Sequence, residues 1–275
     1  MTKFCSCGNS HFISPSSSLF NGIVFGRQEI YDPKQVPVWR FSSANDVRNG
    51  IQLDLGNMCG GYPFMFFGHK FHTSESAYQC GAFSQGVAET DKVQRALLME
   101  INGWKAKKEI KKPNAHLIRS DWKEFMFDWM LLVVWAKCKG NPSFARKLRS
   151  LPQNAVIVED CTFISGIWGC KNKELRKAYT GLKKQLESRG MSPTAAKKVV
   201  GEKMVHFSQG LWEGENNMGK VLKMCQLALL HNVEPPINYD NLRKHNIHLF
   251  GKELTFKAEV QSDWSGTIAE FRQYR

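Results

Sequence analysis

Apolar and polar positions along the chain fall into a few clear periods. Trp122, Phe125, Met126, Trp129, Leu132, Val133 and Ala136 recur at helical spacings. They share one continuous face of a helix that starts at about Asp121. Asn141 followed by Pro142 predicts a further helix start, because proline suits the first helical position. Met218, Val221, Leu222, Cys225 and Leu229 form the apolar face of a helix opened by Asn217. Thr73 or Ser74 can cap a helix running to about Phe83. Another helix follows Thr90 and Asp91.

Strand signals are shorter. "VPVWRF" (36–41) is one strand. "FMFFGHKF" (64–71) is a second, folding into a hairpin with Gly68 in its turn. "ELTFKAEV" (253–260) alternates strictly, as a solvent-facing strand or hairpin does. Residues 171–210 are rich in Lys and broken by Gly190-Met191-Ser192-Pro193, so they read as two exposed helices inserted on the core. Residues 1–35, with their Ser-rich "SPSSS", read as an irregular N-terminal extension. Residues 232–275 read as a C-terminal extension. The domain between them spans 36–231, and no internal repeat interrupts it.

Composition narrows the class. A chain of 275 residues with 42% hydrophobic content can bury a real core as one large domain with extensions. The net charge of +13 favours an anionic partner, either nucleic acid or a phosphorylated small molecule. The longest apolar run, "WMLLVVWA" (129–136), is too short to span a bilayer, so no membrane partner is expected. Eight scattered cysteines without a repeated C-x-x-C, and an N-terminus without a signal-like apolar stretch, suggest reduced thiols and a cytoplasmic location. Cys5, Cys7 and His11 offer half of a metal site, but no second half follows at ligand spacing. No metal and no cofactor are expected. Oligomeric state has no signature in the sequence.

Three segments do not read as ordinary core: "TSESAYQ" (73–79), "ISGIWG" (164–169) and "GENNMGK" (214–220). Each sets Gly, Trp, Asn or an acid at a helix mouth or loop, where backbone N–H groups can meet an anion. "GENNMGK" lacks P-loop spacing. In order, the motifs resemble those of the NADAR/YbiA-like family. "TSESAYQC", preceded by "YPFMFFGHKF", resembles its Ser-Glu-His-x-Tyr-Gln-Ala motif. "RSDWKEFMFDWMLLVVWAKC" resembles its Trp-led helix with an Ala-Lys pair. Val158-Glu159, then Trp168-Gly169, then "GENNMGKVL" complete the set. The resemblance covers about 36–231, interrupted by 171–210.

The resemblance implies an α+β fold: a compact, mainly helical domain with a few short strands. It also implies an N-glycosidase that cleaves a C1′–N bond. Family substrates include ribosylamino-pyrimidine phosphates and ADP-ribosyl groups on guanine in nucleic acid. Such cleavage passes through an oxocarbenium-like sugar, which needs a carboxylate nearby. Glu75 is the candidate catalytic acid; its structural alternative is a first-turn Glu facing the helix dipole. Trp168, Gly169, Trp122, Tyr78 and Asn216 are the candidate substrate contacts, with the Trp rings stacking on a base or adenine. Core packing is the alternative for Trp122, and a helix cap for Asn216.

Two positions depart from the family pattern: Ala82 where many relatives carry Lys, and Ser165 where many carry Asp. Glu159 or Asp160 is a candidate replacement for that missing charge. The departures favour a second reading, a non-catalytic protein that binds ADP-ribose or a nucleotide. A third is a metabolic glycosidase of ribosylamino-pyrimidine phosphates. The stretch 104–123 carries seven Lys/Arg against two acids. Lys105, Lys108 and Lys112 would share a helical face there and contact phosphates; the alternative is a solvated face. With Lys183, Lys184, Lys197 and Lys198 of the insertion, they favour ADP-ribosylated nucleic acid over a small phosphorylated nucleotide as the partner.

Overall fold

The computed structural model describes residues 17–42, 47–48, 51–52, 54–164 and 166–256. Strands come first: β1 (Glu29–Tyr31), β2 (Val38–Phe41), β3 (Val47–Arg48), β4 (Ile51–Gln52), β5 (Phe64–Phe66) and β6 (His69–Phe71). Helices α1 (Ser74–Ala82) and α2 (Ala88–Met99) follow, then the single turn α3 (Gly103–Lys105) and a π-helical turn, Ala106–Lys111. Next come α4 (Trp122–Gly140), α5 (Pro142–Ser150), β7 (Val156–Glu159), β8 (Cys170–Lys171), α6 (Lys173–Ser188), α7 (Pro193–Met204), β9 (Trp212–Gly214) and α8 (Asn217–His231). The short α9 (Tyr239–Arg243) and the β10 (His248–Leu249)/β11 (Lys252–Glu253) hairpin close the described chain. The class is mixed α+β, with short strands among the helices.

Local chemistry accounts for most boundaries. Phe67 and Gly68 both take positive φ between β5 and β6, the pair of left-handed residues a tight hairpin turn requires. Thr73 caps α1 by accepting from the Ser76 N–H at 3.1 Å. Asn141 caps α5 through Phe144, with Pro142 at the first helical position. Helix α2 starts at Ala88, two residues before Thr90. Thr90 lies inside the first turn and its hydroxyl donates to the Val87 carbonyl.

Helix α4 is the spine. Its Phe125, Trp129, Leu132, Val133 and Ala136 are buried, and it packs against α1, α5, α8, α9 and β5. Its mid-section is apolar around most of its circumference, since Met130, Leu131 and Val134 are buried as well. Strand β2 pairs in parallel with β7, in register Phe41 with Glu159. The pleat sends Ile157 and Glu159 to the main core and Val158 and Asp160 to the opposite side. There Val158, Cys170, Leu175 and Trp212 form a second small core under α6 and α7.

The expected extensions are woven into the fold. Phe20 is buried, and β1 adds to β9 as the edge of a three-stranded sheet with β8. At the other end Leu242, Ile247, Leu249, Phe250 and Phe256 join the main core. Gln94 ties this segment down, accepting from the Phe250 N–H and donating to the His248 carbonyl. The alternating stretch 253–260 contributes only the end of a two-residue strand at Glu253; residues 257–260 lie outside the described residues. The two helices expected within 171–210 are α6 and α7, packed on each other. No helix of the described residues is long and apolar enough to cross a membrane.

Candidate active site

Every residue of α1 is buried, so its polar side chains must find partners within the protein. Glu75 sits in the first turn with 5% of its surface exposed. Its backbone N–H donates to the Asn57 carbonyl at 3.0 Å, and its Oε1 accepts from Gln79 Nε2 at 2.8 Å, one turn on. Burial pushes the Glu75 carboxyl up; the Gln79 bond and the charges of Lys107 and Lys111 oppose that shift.

The second acid is Glu159, at the end of β7. Burial first, and then the negative charge of Glu75, push its carboxyl up to about 7, while Lys107 pulls the other way. The residue keeps some exposure, yet protein surrounds its carboxyl. Glu159 thus lies close enough to Glu75 to feel its negative charge, and ionising Glu159 beside it is costly. Asp160, one residue on, faces the far side and pairs with Arg40 at 3.1 Å. Of the two acids the sequence offered as replacements for the missing charge, Glu159 is the one brought to Glu75.

Asn216 holds this strand in place. It takes a left-handed conformation, φ 50°, ahead of α8. Its Oδ1 accepts from the Glu159 N–H at 3.3 Å and its Nδ2 donates to the Ile157 carbonyl at 2.8 Å. Both polar atoms that were expected to meet a sugar or phosphate are used inside the protein, and the side chain is buried. Gly219 lets α8 lie directly on the strand, since a Cβ there would come within 2.0 Å of the Ile157 oxygen. Gly169 is constrained likewise: a Cβ would lie 2.3 Å from the Glu159 oxygen. Its glycine is required by packing against the acid-bearing strand.

Aromatic rings form a continuous wall beside the acids. Trp122 meets Tyr78 at 5.1 Å between ring centroids, Tyr78 meets Trp168 at 5.4 Å, and Trp168 meets Phe127 at 5.6 Å. Phe127 then stacks on Phe25 at 5.2 Å. Trp122 and Trp168 are both half-buried, whereas Tyr78 is buried. The Tyr78 hydroxyl is pushed well above its ordinary value, first by burial and then by the Glu75 charge. Trp168 is anchored by its carbonyl, which accepts from the Met218 N–H at 2.8 Å.

Phe25 comes from the segment before β1. Buried Lys220 holds that segment, donating to the carbonyls of Val24 at 2.7 Å and Arg27 at 3.0 Å and pairing with Glu29. Asn217 adds a bond from the Gly26 N–H at 2.9 Å, and its amide also binds the Ile167 carbonyl next to Trp168. "GENNMGK" therefore fastens the N-terminal segment and the Trp168 loop to one helix start.

The basic stretch is arranged differently from its expected helical face. Residues 106–111 wind as a π-helix, anchored by buried Ala106 against α1. Lys107 and Lys111 are the lysines whose charges reach Glu75, and Lys107 also reaches Glu159. Lys105, Lys108 and Lys112 are exposed. Ala82 is fully buried and its carbonyl accepts from the Arg119 N–H, so that position has no amine. Ser165 lies outside the described residues, as do Cys5, Cys7 and His11. Among the described residues no group of His, Cys, Asp and Glu is placed to hold a metal ion.

The structure therefore brings together Glu75, Tyr78, Trp122 and Trp168 of the residues expected from sequence. Glu159, offered by the sequence as a replacement acid, joins them, and the structure adds Lys107, Lys111, Phe127 and Phe25. No family model matches the chain, and neither does any curated protein compared with it. Among solved structures it matches the NMR structure of the E. coli protein YbiA, with 17% identity and a TM-score of 0.44, over 71% of this chain and 86% of that one.

Proposed function

We propose that the chain is an N-glycosidase that hydrolyses the C1′–N bond of an ADP-ribosylated guanine in nucleic acid. The Glu75–Glu159 pair beside the aromatic wall carries this reading. Breaking that bond leaves positive charge on the sugar and negative charge on the departing nitrogen. Glu159, which keeps its proton up to about pH 7, donates it to the leaving base. Burial raises the Glu75 carboxyl, and Gln79, Lys107 and Lys111 oppose that rise by favouring its charged form, which is the form this reading uses. Its charge stabilises the sugar cation and takes the proton from the attacking water. Trp168 and Trp122 offer ring faces for the base or adenine, and the two lysines offer charge for the diphosphate.

Buried Ala82 favours a second reading, a non-catalytic protein that binds ADP-ribose through the same wall. Both readings, and the metabolic one, are separated by a substrate panel. The protein and its Glu75→Gln variant are incubated with an ADP-ribosylated oligonucleotide and, separately, with a ribosylamino-pyrimidine phosphate. Release of ADP-ribose by the parent and not the variant supports the proposal. Tight binding without release supports the binding protein, and turnover of the pyrimidine alone supports the metabolic enzyme.

A further inference from the structure

A cavity lies at the start of β2, beside the segment that follows α7 and away from the carboxylates. It measures about 350 Å³, and Trp39, Trp212, Phe207, His206, Arg40 and Pro37 contribute to its walls. That is room for one flat ring system, at the small end of ligand pockets. Arg40 gives the cavity no free charge. Its guanidinium pairs with Asp160 at 3.1 Å, donates to the Met204 carbonyl at 2.8 Å and lies 5.9 Å from the Trp212 ring. A site so lined suits an uncharged aromatic ring better than a phosphate or carboxylate. His206 and Ser208 are exposed at its edge and can bond to the rim of such a ring.

The surroundings say what carries the ring. Residues 171–210 hold ten Lys/Arg against three acids, more than half of the net charge of the whole chain. Among the described residues Lys173 pairs with Glu213 and Lys183 with Glu187. Lys177, Lys184, Lys197, Lys198 and Lys203 are exposed, with no ion-pair partner among the described residues. The lining residues His206, Phe207 and Ser208 follow directly on α7, which carries Lys197, Lys198 and Lys203; a ring slot on the same segment as free ammonium groups is an arrangement that suits single strands. Stacking there contributes about 1–3 kcal/mol per base, and phosphate contacts add a salt-dependent share.

We propose that this cavity is a nucleic-acid subsite that seats one base of a single strand, while the lysines of α6 and α7 take the adjoining phosphates. The subsite reads no ADP-ribose and stands apart from the glycosidase reading. Duplex ends with all bases paired have no ring to offer it.

The test measures binding of the full chain to an unmodified, fluorescein-labelled single-stranded oligonucleotide by anisotropy. The partners are a Phe207→Ala/His206→Ala variant and a Lys197→Glu/Lys198→Glu variant. The expected result is binding weakened roughly 10-fold by the cavity variant, from the loss of about 1.4 kcal/mol of stacking. The charge variant weakens it as well and flattens the salt dependence. The proposal is overturned if the oligonucleotide does not bind. It is equally overturned if the cavity variant, shown to be folded by its circular dichroism, binds like the parent, or if blunt duplex binds as well as the single strand.

Discussion

Replacing Glu159 with glutamine separates the cost of the carboxylate pair from its use. In the unfolded chain this carboxyl titrates near its ordinary value of 4.5; in the fold it titrates at about 7. The folded protein therefore holds a proton that the unfolded chain has lost over this range. Stability from the group is full below pH 4.5, declines as pH rises, and is gone above about 7. A gap of that size corresponds to roughly 3 kcal/mol. Glutamine is similar in shape and neutral at every pH, so it escapes the penalty. Glu159→Gln is thus expected to unfold like the parent at pH 4.5 but to be more stable at pH 8, by up to about 3 kcal/mol. Urea unfolding at the two pH values, with the slope checked for constancy, reads this directly. In the proposed reaction the same variant is expected to lose activity, because glutamine has no proton to give the leaving base. Equal stability of parent and variant at both pH values, or equal destabilisation at both, would refute the reasoning.

Three other perturbations follow from the geometry. Lys107→Met removes the positive charge that reaches both acids; both carboxyls rise, and the alkaline limb of the pH–rate profile moves to higher pH, seen in kcat/KM between pH 6 and 9. Gly219→Ala forces a Cβ to within 2.0 Å of the Ile157 oxygen, so a cost of about 1–3 kcal/mol or more is expected in chemical denaturation. Lys220→Ala leaves Glu29 and two carbonyls of the N-terminal segment without their partner. A loss of about 3–5 kcal/mol is expected, with limited proteolysis cutting first within residues 20–31.

The elements built from local signals were legible in the sequence. The Thr73 cap, the Gly68 turn, the Asn141-Pro142 start and the faces of α4 and α8 each depend on residues a few positions apart. Glu75 stood out because a lone acid among small hydroxyl residues needs a partner. Its hydrogen-bond partner is Gln79, one turn on; the second acid, Glu159, lies 84 residues on, and the parallel pairing of β2 with β7 sets its place. Its side is set by strand register, which local pattern leaves open. Lys107 and Lys111, four apart, lie on a face next to that of Lys105, Lys108 and Lys112, and which face turns towards Glu75 is set by the packing of buried Ala106 against α1, which no local period fixes. Phe25 was missed because a Ser- and Gly-rich opening carries no period; tertiary bonds from Lys220 and Asn217 hold it against the wall. Asn216 was recognised as special, but its polar atoms serve the strand.

The central claim is that two carboxyls of one buried pair divide the work of cleaving a C1′–N bond. A single-turnover experiment addresses it directly, with protein in excess over an oligonucleotide carrying one ADP-ribosylated guanine. The parent is expected to release ADP-ribose and leave the unmodified base. Glu75→Gln and Glu159→Gln are each expected to bind the oligonucleotide and to release at least 100-fold more slowly, in the range that a lost general acid or base costs. Unchanged release by either variant, or binding by the parent with no release, would contradict the account.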